Sequence, residues 1–64
     1  MGTEGLIHMM TIGDKVRIMD STDKYFGKVT KIYKMNGLDI TLKVSPWAKQ
    51  IYRARQLKLV SKGE

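Results

Sequence analysis

Sixty-four residues without a cysteine make one domain that holds neither a disulfide nor a thiolate metal site, and its lone histidine, His8, cannot build a zinc site. Twelve Lys and Arg stand against six Asp and Glu, a net charge of +6 that favours polyanionic partners such as nucleic acid and also aids solubility. No apolar run approaches the ~18 residues that cross a bilayer, nor does the N-terminus have the basic start and long apolar stretch of a signal peptide. No membrane association is expected, and the absence of cysteine fits a reducing compartment, so the expected location is cytoplasmic. A chain this short buries only about 60% of its unfolded surface. Its core is therefore small, and both a monomer and a small homo-oligomer are open.

In chain order, residues 1–9 have two glycines and no period, and the His8-Met9-Met10 junction reads as a cloning boundary. A disordered or vector-derived tail is expected there, with the fold over residues 10–61 and fraying over 62–64. Lys15 to Met19 alternates, with Val16 and Ile18 on one face and Lys15, Arg17 and Met19 on the other, as a half-buried strand does. Asp20 to Lys24 supplies turn chemistry, because Asp and Ser side chains bond their own backbone. A second strand from Phe26 to Met35 should contain a β-bulge near Thr30-Lys31, since Val29 and Ile32 both read as inward although three apart.

Asn36-Gly37 predicts a two-residue type I′ hairpin turn. Leu38, Ile40, Leu42 and Val44 then alternate with Asp39, Thr41 and Lys43 in a third strand that Pro46 closes. A short fourth strand over Gln50 to Arg53, a 3₁₀ turn at Ala54-Arg55-Gln56 and a last strand from Leu57 to Val60 complete the chain. No window has the three-and-four apolar spacing of a helix longer than about two turns. The expected class is all-β: a small five-stranded SH3-like barrel with a single 3₁₀ turn before the last strand, with an OB-fold as the nearest alternative.

The openings Gly13-Asp14-Lys15-Val16-Arg17-Ile18 and Gly27-Lys28-Val29-Thr30-Lys31-Ile32 resemble the KOW motif of small SH3-like barrels. That motif occurs in ribosomal proteins and transcription elongation factors that touch RNA. The resemblance is carried by Gly13, Val16, Ile18, Gly27, Val29 and Ile32, and it implies RNA contacts through the loop that holds Tyr25-Phe26. Here the loop departs from the usual basic pattern, because Asp20 and Asp23 would repel phosphate. A second segment, Lys49-Gln50-Ile51-Tyr52, is similar to the Val-Gln-Ile-Tyr segment of the small plasmid-borne type II dihydrofolate reductases, SH3-like barrels that form tetramers around one pore. That likeness implies Gln50, Ile51 and Tyr52 lining a pore for NADPH and dihydrofolate, with Ile18 standing where the family has a pore lysine.

The chain offers no Ser-His-Asp or Cys-His set, no phosphate-cradling glycine loop and no carboxylate pair at metal-ligand spacing. Asp14, Asp20, Asp23 and Asp39 read as turn or solvent-face residues. No catalytic residue, cofactor or metal is expected. Binders of single-stranded nucleic acid instead combine a positive groove with aromatic faces for the bases. The candidates for that role are Arg17, Lys28, Trp47, Lys49, Tyr52, Arg53 and Arg55, centred on Trp47 to Arg55. Trp47 reads either as a cap on an open barrel end or as a stacking ring, and Lys31, Lys34 and Lys43 read as a solvated strand face that discourages edge pairing. The expected function is a small basic non-catalytic accessory protein that binds RNA or single-stranded DNA by electrostatics and aromatic stacking. Two alternatives stand beside it: docking on an acidic protein through Trp47 and Tyr52, and an NADPH-dependent reductase-like tetramer.

Overall fold

The computed structural model describes residues 10–63, so the expected tail at 1–9 lies outside the described residues, as does Glu64. The chain forms β1 (Lys15–Ile18), β2 (Val29–Asn36), β3 (Asp39–Ser45), β4 (Ala48–Tyr52), a 3₁₀ turn η1 (Ala54–Gln56) and β5 (Leu57–Ser61). The five strands join in one antiparallel sheet of order β4-β3-β2-β1-β5. This is the all-β, five-stranded architecture expected, with its one 3₁₀ turn immediately before the last strand. Among the described residues no helix is long and apolar enough to cross a membrane.

β2 holds the sheet together because its first half pairs with β1 and its second half with β3. The strands curl around Val16, Ile18, Ile32, Ile40, Leu42 and Val44, all essentially inaccessible, and Met10, Tyr52, Ala54 and Leu57 complete the core. Each such aliphatic side chain contributes roughly 1.5–3 kcal/mol on burial. Alternation explains which residues go inside: β1 buries Val16 and Ile18 and exposes Lys15 and Arg17, and β3 buries Ile40, Leu42 and Val44.

Three local expectations are corrected. The bulge in β2 lies at Tyr33, where the register shifts between Ile32 and Lys34, and not at Thr30-Lys31. The inward residues three apart are thus Ile32 and Met35, while Val29 faces outward beside Arg17. The β2–β3 hairpin turns on Gly37-Leu38, since Asn36 already pairs with Asp39. Gly37 has φ +63°, and among the described residues no non-glycine has positive φ. Those values fit a type II′ turn, with glycine first, and not type I′. Leu38 is consequently exposed at the tip and not part of the inward row.

Asp14 is corrected as well: it is fully buried, not on a solvent face. Its carboxylate accepts from the Thr11 amide (2.9 Å) and hydroxyl (3.2 Å), from Lys62 Nζ (2.6 Å) and from the Gly63 amide (2.7 Å). Lys62 and Gly63, expected to fray, are therefore fastened to the turn before β1. These contacts, led by the Lys62 ammonium and the Gly63 amide, hold the carboxyl far below the usual carboxylate range despite the opposing effect of burial.

Candidate nucleic-acid interface

The outer face of the sheet places like charges directly opposite one another. Lys15 of β1 pairs with Lys31 of β2, and Lys43 of β3 pairs with Lys49 of β4. The two pairs are neighbours, because Ile32 faces Leu42 and one step along those antiparallel strands stand Lys31 and Lys43. Four lysines thus form a row that crosses four strands. A third like-charge pair, Arg17 with Lys58, lies beside it on β1 and β5. Like charges directly opposite in a sheet are destabilising by a few tenths to about 1 kcal/mol. Among the described residues none of the four row lysines has a carboxylate partner; the ion pairs are Arg53 with Asp39 and Lys62 with Asp14.

Under this row runs a groove of about 630 Å³, where Ile12, Val29 and Tyr33 supply apolar surface between Lys15, Lys31 and Lys43. It continues at one end into a cleft shared by Lys28 and Pro46, and at the other towards Lys62. Among the described residues no carboxylate lines any of the three. Tyr33, unpaired at the bulge, faces outward and is half exposed, and Lys49 Nζ sits 4.3 Å from the centre of its ring. A cation over an aromatic face at that distance is attractive.

The acids gather elsewhere. Asp20 accepts from the Thr22 hydroxyl (2.6 Å) and amide (3.0 Å) and from the Gln56 side-chain amide (2.9 Å), contacts that lower its pKa. Asp23 accepts from the Tyr52 hydroxyl and the Tyr25 amide, and Asp39 accepts from Arg53 Nε at 3.1 Å. The region around η1 thus neutralises its own bases.

These placements divide the seven sequence candidates. Lys49 belongs to the lysine row, Lys28 lines the cleft that adjoins the groove, and Arg17 flanks the row through Val29 and Lys58. Arg53 is engaged with Asp39, while Arg55 lies exposed in η1, its charge favouring ionised Asp20. Tyr52 is a correction: only 2% exposed, its ring belongs to the core and offers no face to a base. Trp47 does not cap the barrel, being 92% exposed at the two-residue turn between β3 and β4, where its amide donates to Ser45 Oγ at 3.2 Å. Trp47 and Tyr52 are therefore not one patch.

Of the reductase-like segment, Gln50 and Ile51 are exposed on β4 while Tyr52 is buried, and Ile18 is wholly inside the core. Lys15, Lys31, Lys43 and Tyr33 line the groove and are absent from the candidate set. The alternation of β2 carried the signal for them, since it fixes Lys31 as outward, but their alignment across strands depends on where the bulge falls. Comparisons with protein-family models, with curated proteins and with solved structures find no match.

Proposed function

We propose that this domain is a small non-catalytic accessory protein of KOW type that binds RNA or single-stranded DNA on the outer face of β1 to β4. The row of Lys15, Lys31, Lys43 and Lys49 carries the reading, because it concentrates positive charge over a groove that no carboxylate of the described residues lines. Sheets ordinarily oppose lysine with a carboxylate; here the missing negative charge is supplied by phosphate. Tyr33 adds an aromatic face, and such stacking is worth roughly 1–3 kcal/mol per base. The chain's lack of cysteine supports cytoplasmic placement.

Fluorescence titration with short RNA and single-stranded DNA tests the reading. Binding that weakens steeply between about 50 and about 200 mM salt is expected. No binding at the lower salt, or binding indifferent to salt, overturns it.

A second reading, docking on an acidic protein, is favoured by Trp47, whose exposed ring is the kind of side chain that anchors interfaces. Retrieval of one acidic partner after nuclease treatment, lost in Trp47→Ala, is its test. The reductase alternative requires a stable tetramer by light scattering, and a monomer removes it.

A further inference from the structure

We infer that the four-lysine row is a phosphate track that runs across the strands and not along them, so that the ligand is one nucleic-acid strand seated over about four phosphates. The inference rests on the nucleic-acid reading above and gives it a direction, a length and a preference for single strands.

Direction follows from what surrounds each lysine. Along β2 the next outward residues on either side of Lys31 are Val29 and Tyr33, and along β4 the neighbour of Lys49 on its face is Ile51. Charge is therefore interrupted along β2 and β4, and it runs along a strand at β1, where Arg17 follows Lys15 on the same face, while between strands the row is continuous. Adjacent strands lie about 4.8 Å apart, so the row from β1 to β4 covers roughly 14 Å. Long lysine stems let each ammonium shift to meet a phosphate, and a point charge needs no fixed approach angle.

Preference for a single strand comes from Tyr33. Its half-exposed ring lies beside the track, with the Lys49 ammonium over one face at 4.3 Å from the ring centre, so the edge and the remaining exposed surface are what a base can meet. An unpaired base can stack there while its phosphate stays on the row. A duplex keeps its bases inside the helix and gains the phosphate contacts alone.

The charge count gives a quantitative expectation. Four phosphates neutralised on a single strand produce a slope of log affinity against log salt near −3, or about a fifty-fold loss between about 50 and about 200 mM salt. Removing one lysine reduces that loss to about twenty-fold. The test is a salt series on the full chain with oligouridylates and oligothymidylates of about two to eight nucleotides, alongside the matching duplex and heparin. Lys31→Gln and Lys43→Gln are the track variants, while Arg53→Gln and Arg55→Gln are the off-track controls. Thermal unfolding of each variant verifies folding.

The expected result is affinity that levels off near four nucleotides, a slope reduced by about 0.7 in each track variant and unchanged in the controls, and a duplex bound at least about tenfold more weakly. Should the controls change the slope while the track variants do not, nucleic acid binds at another face and the track is overturned with the broader reading intact. Equal affinity for duplex, heparin and single strands also overturns the track, leaving a plain polyanion site. Absence of binding to every probe overturns both.

Discussion

The Tyr52 hydroxyl donates to Asp23 Oδ1 at 2.9 Å, fastening the buried end of β4 to the loop between β1 and β2. The same oxygen accepts from the Tyr25 amide at 2.7 Å. Burial, and next the bond to Asp23, push the Tyr52 phenol well above its ordinary value. Tyr52→Phe keeps the ring but leaves a carboxylate short of one donor. Chemical denaturation should show a loss of about 1–2 kcal/mol. Nucleic-acid affinity of that variant should stay within about twofold, because a ring enclosed by the core touches no ligand. A tenfold loss of affinity would return Tyr52 to the interface.

Trp47 should prove dispensable for stability. Its ring is 92% exposed, so Trp47→Ala is expected to change unfolding free energy by less than about 0.5 kcal/mol. Wild-type emission should match that of a fully solvated indole, and a blue-shifted spectrum from the isolated protein would contradict the exposed ring.

Stability and binding should move in opposite directions at Lys43. Lys43→Glu sets a carboxylate directly opposite Lys49 and one strand from Lys31. The exchange of a repulsive pair for an attractive one should stabilise the fold by roughly 0.2–1 kcal/mol. It also places a negative charge in the groove, so nucleic-acid affinity should fall. Calorimetry with a binding titration on the same sample reads both signs at once.

The buried carboxylate of Asp14 sets an acid limb. In the folded protein its pKa lies far below the ordinary 3.8 that the unfolded chain retains. The unfolded state therefore binds more protons across that interval, and stability rises with pH there. The contribution is complete above about pH 5 and is lost as pH falls through 3.8 towards the folded value. Asp20, also lowered, adds in the same direction. Melting temperatures from about pH 2 to about pH 7 should show a shallower acid limb in Asp14→Asn than in wild type.

Gly63 should resist even alanine. A Cβ there would lie 2.5 Å from the Gly13 carbonyl oxygen, which is backbone and cannot swing away. Gly63→Ala should detach the C-terminal contact to Asp14 and lower stability by about 1 kcal/mol, read by denaturation.

Alternation made the core legible in the sequence: Val16, Ile18, Ile32, Ile40, Leu42 and Val44 all go inward as their spacing implies. The 3₁₀ turn at Ala54-Arg55-Gln56 was legible too, closed by the Gln56 side chain accepting from the Arg53 amide at 2.8 Å. Registers between strands were not. Counting back from the Asn36–Asp39 pair along a regular ladder would set Lys31 opposite buried Val44; the extra residue at Tyr33 sets it beside Lys43 instead. Neither hydropathy nor propensity fixes which residue of a strand is the unpaired one, because the choice depends on twist and packing across the sheet. The burial of Tyr52 is hidden from the sequence for a related reason, since its exposed neighbours Arg53 and Arg55 say nothing of the face its own ring occupies.

Tyr33 has no partner across the ladder, and that makes it surplus to the sheet. Deleting it would leave Ile32 and Lys34 as consecutive members of an ordinary antiparallel strand, with Ile32 and Met35 still inward and no other side chain turned round. A core built on strict alternation tolerates such a one-residue excess at a single place, and here the excess falls beside the lysines. The ring can therefore be gained, lost or exchanged without redesigning the interior. The outward ring and the folding of the sheet are separable in this domain at the level of one codon.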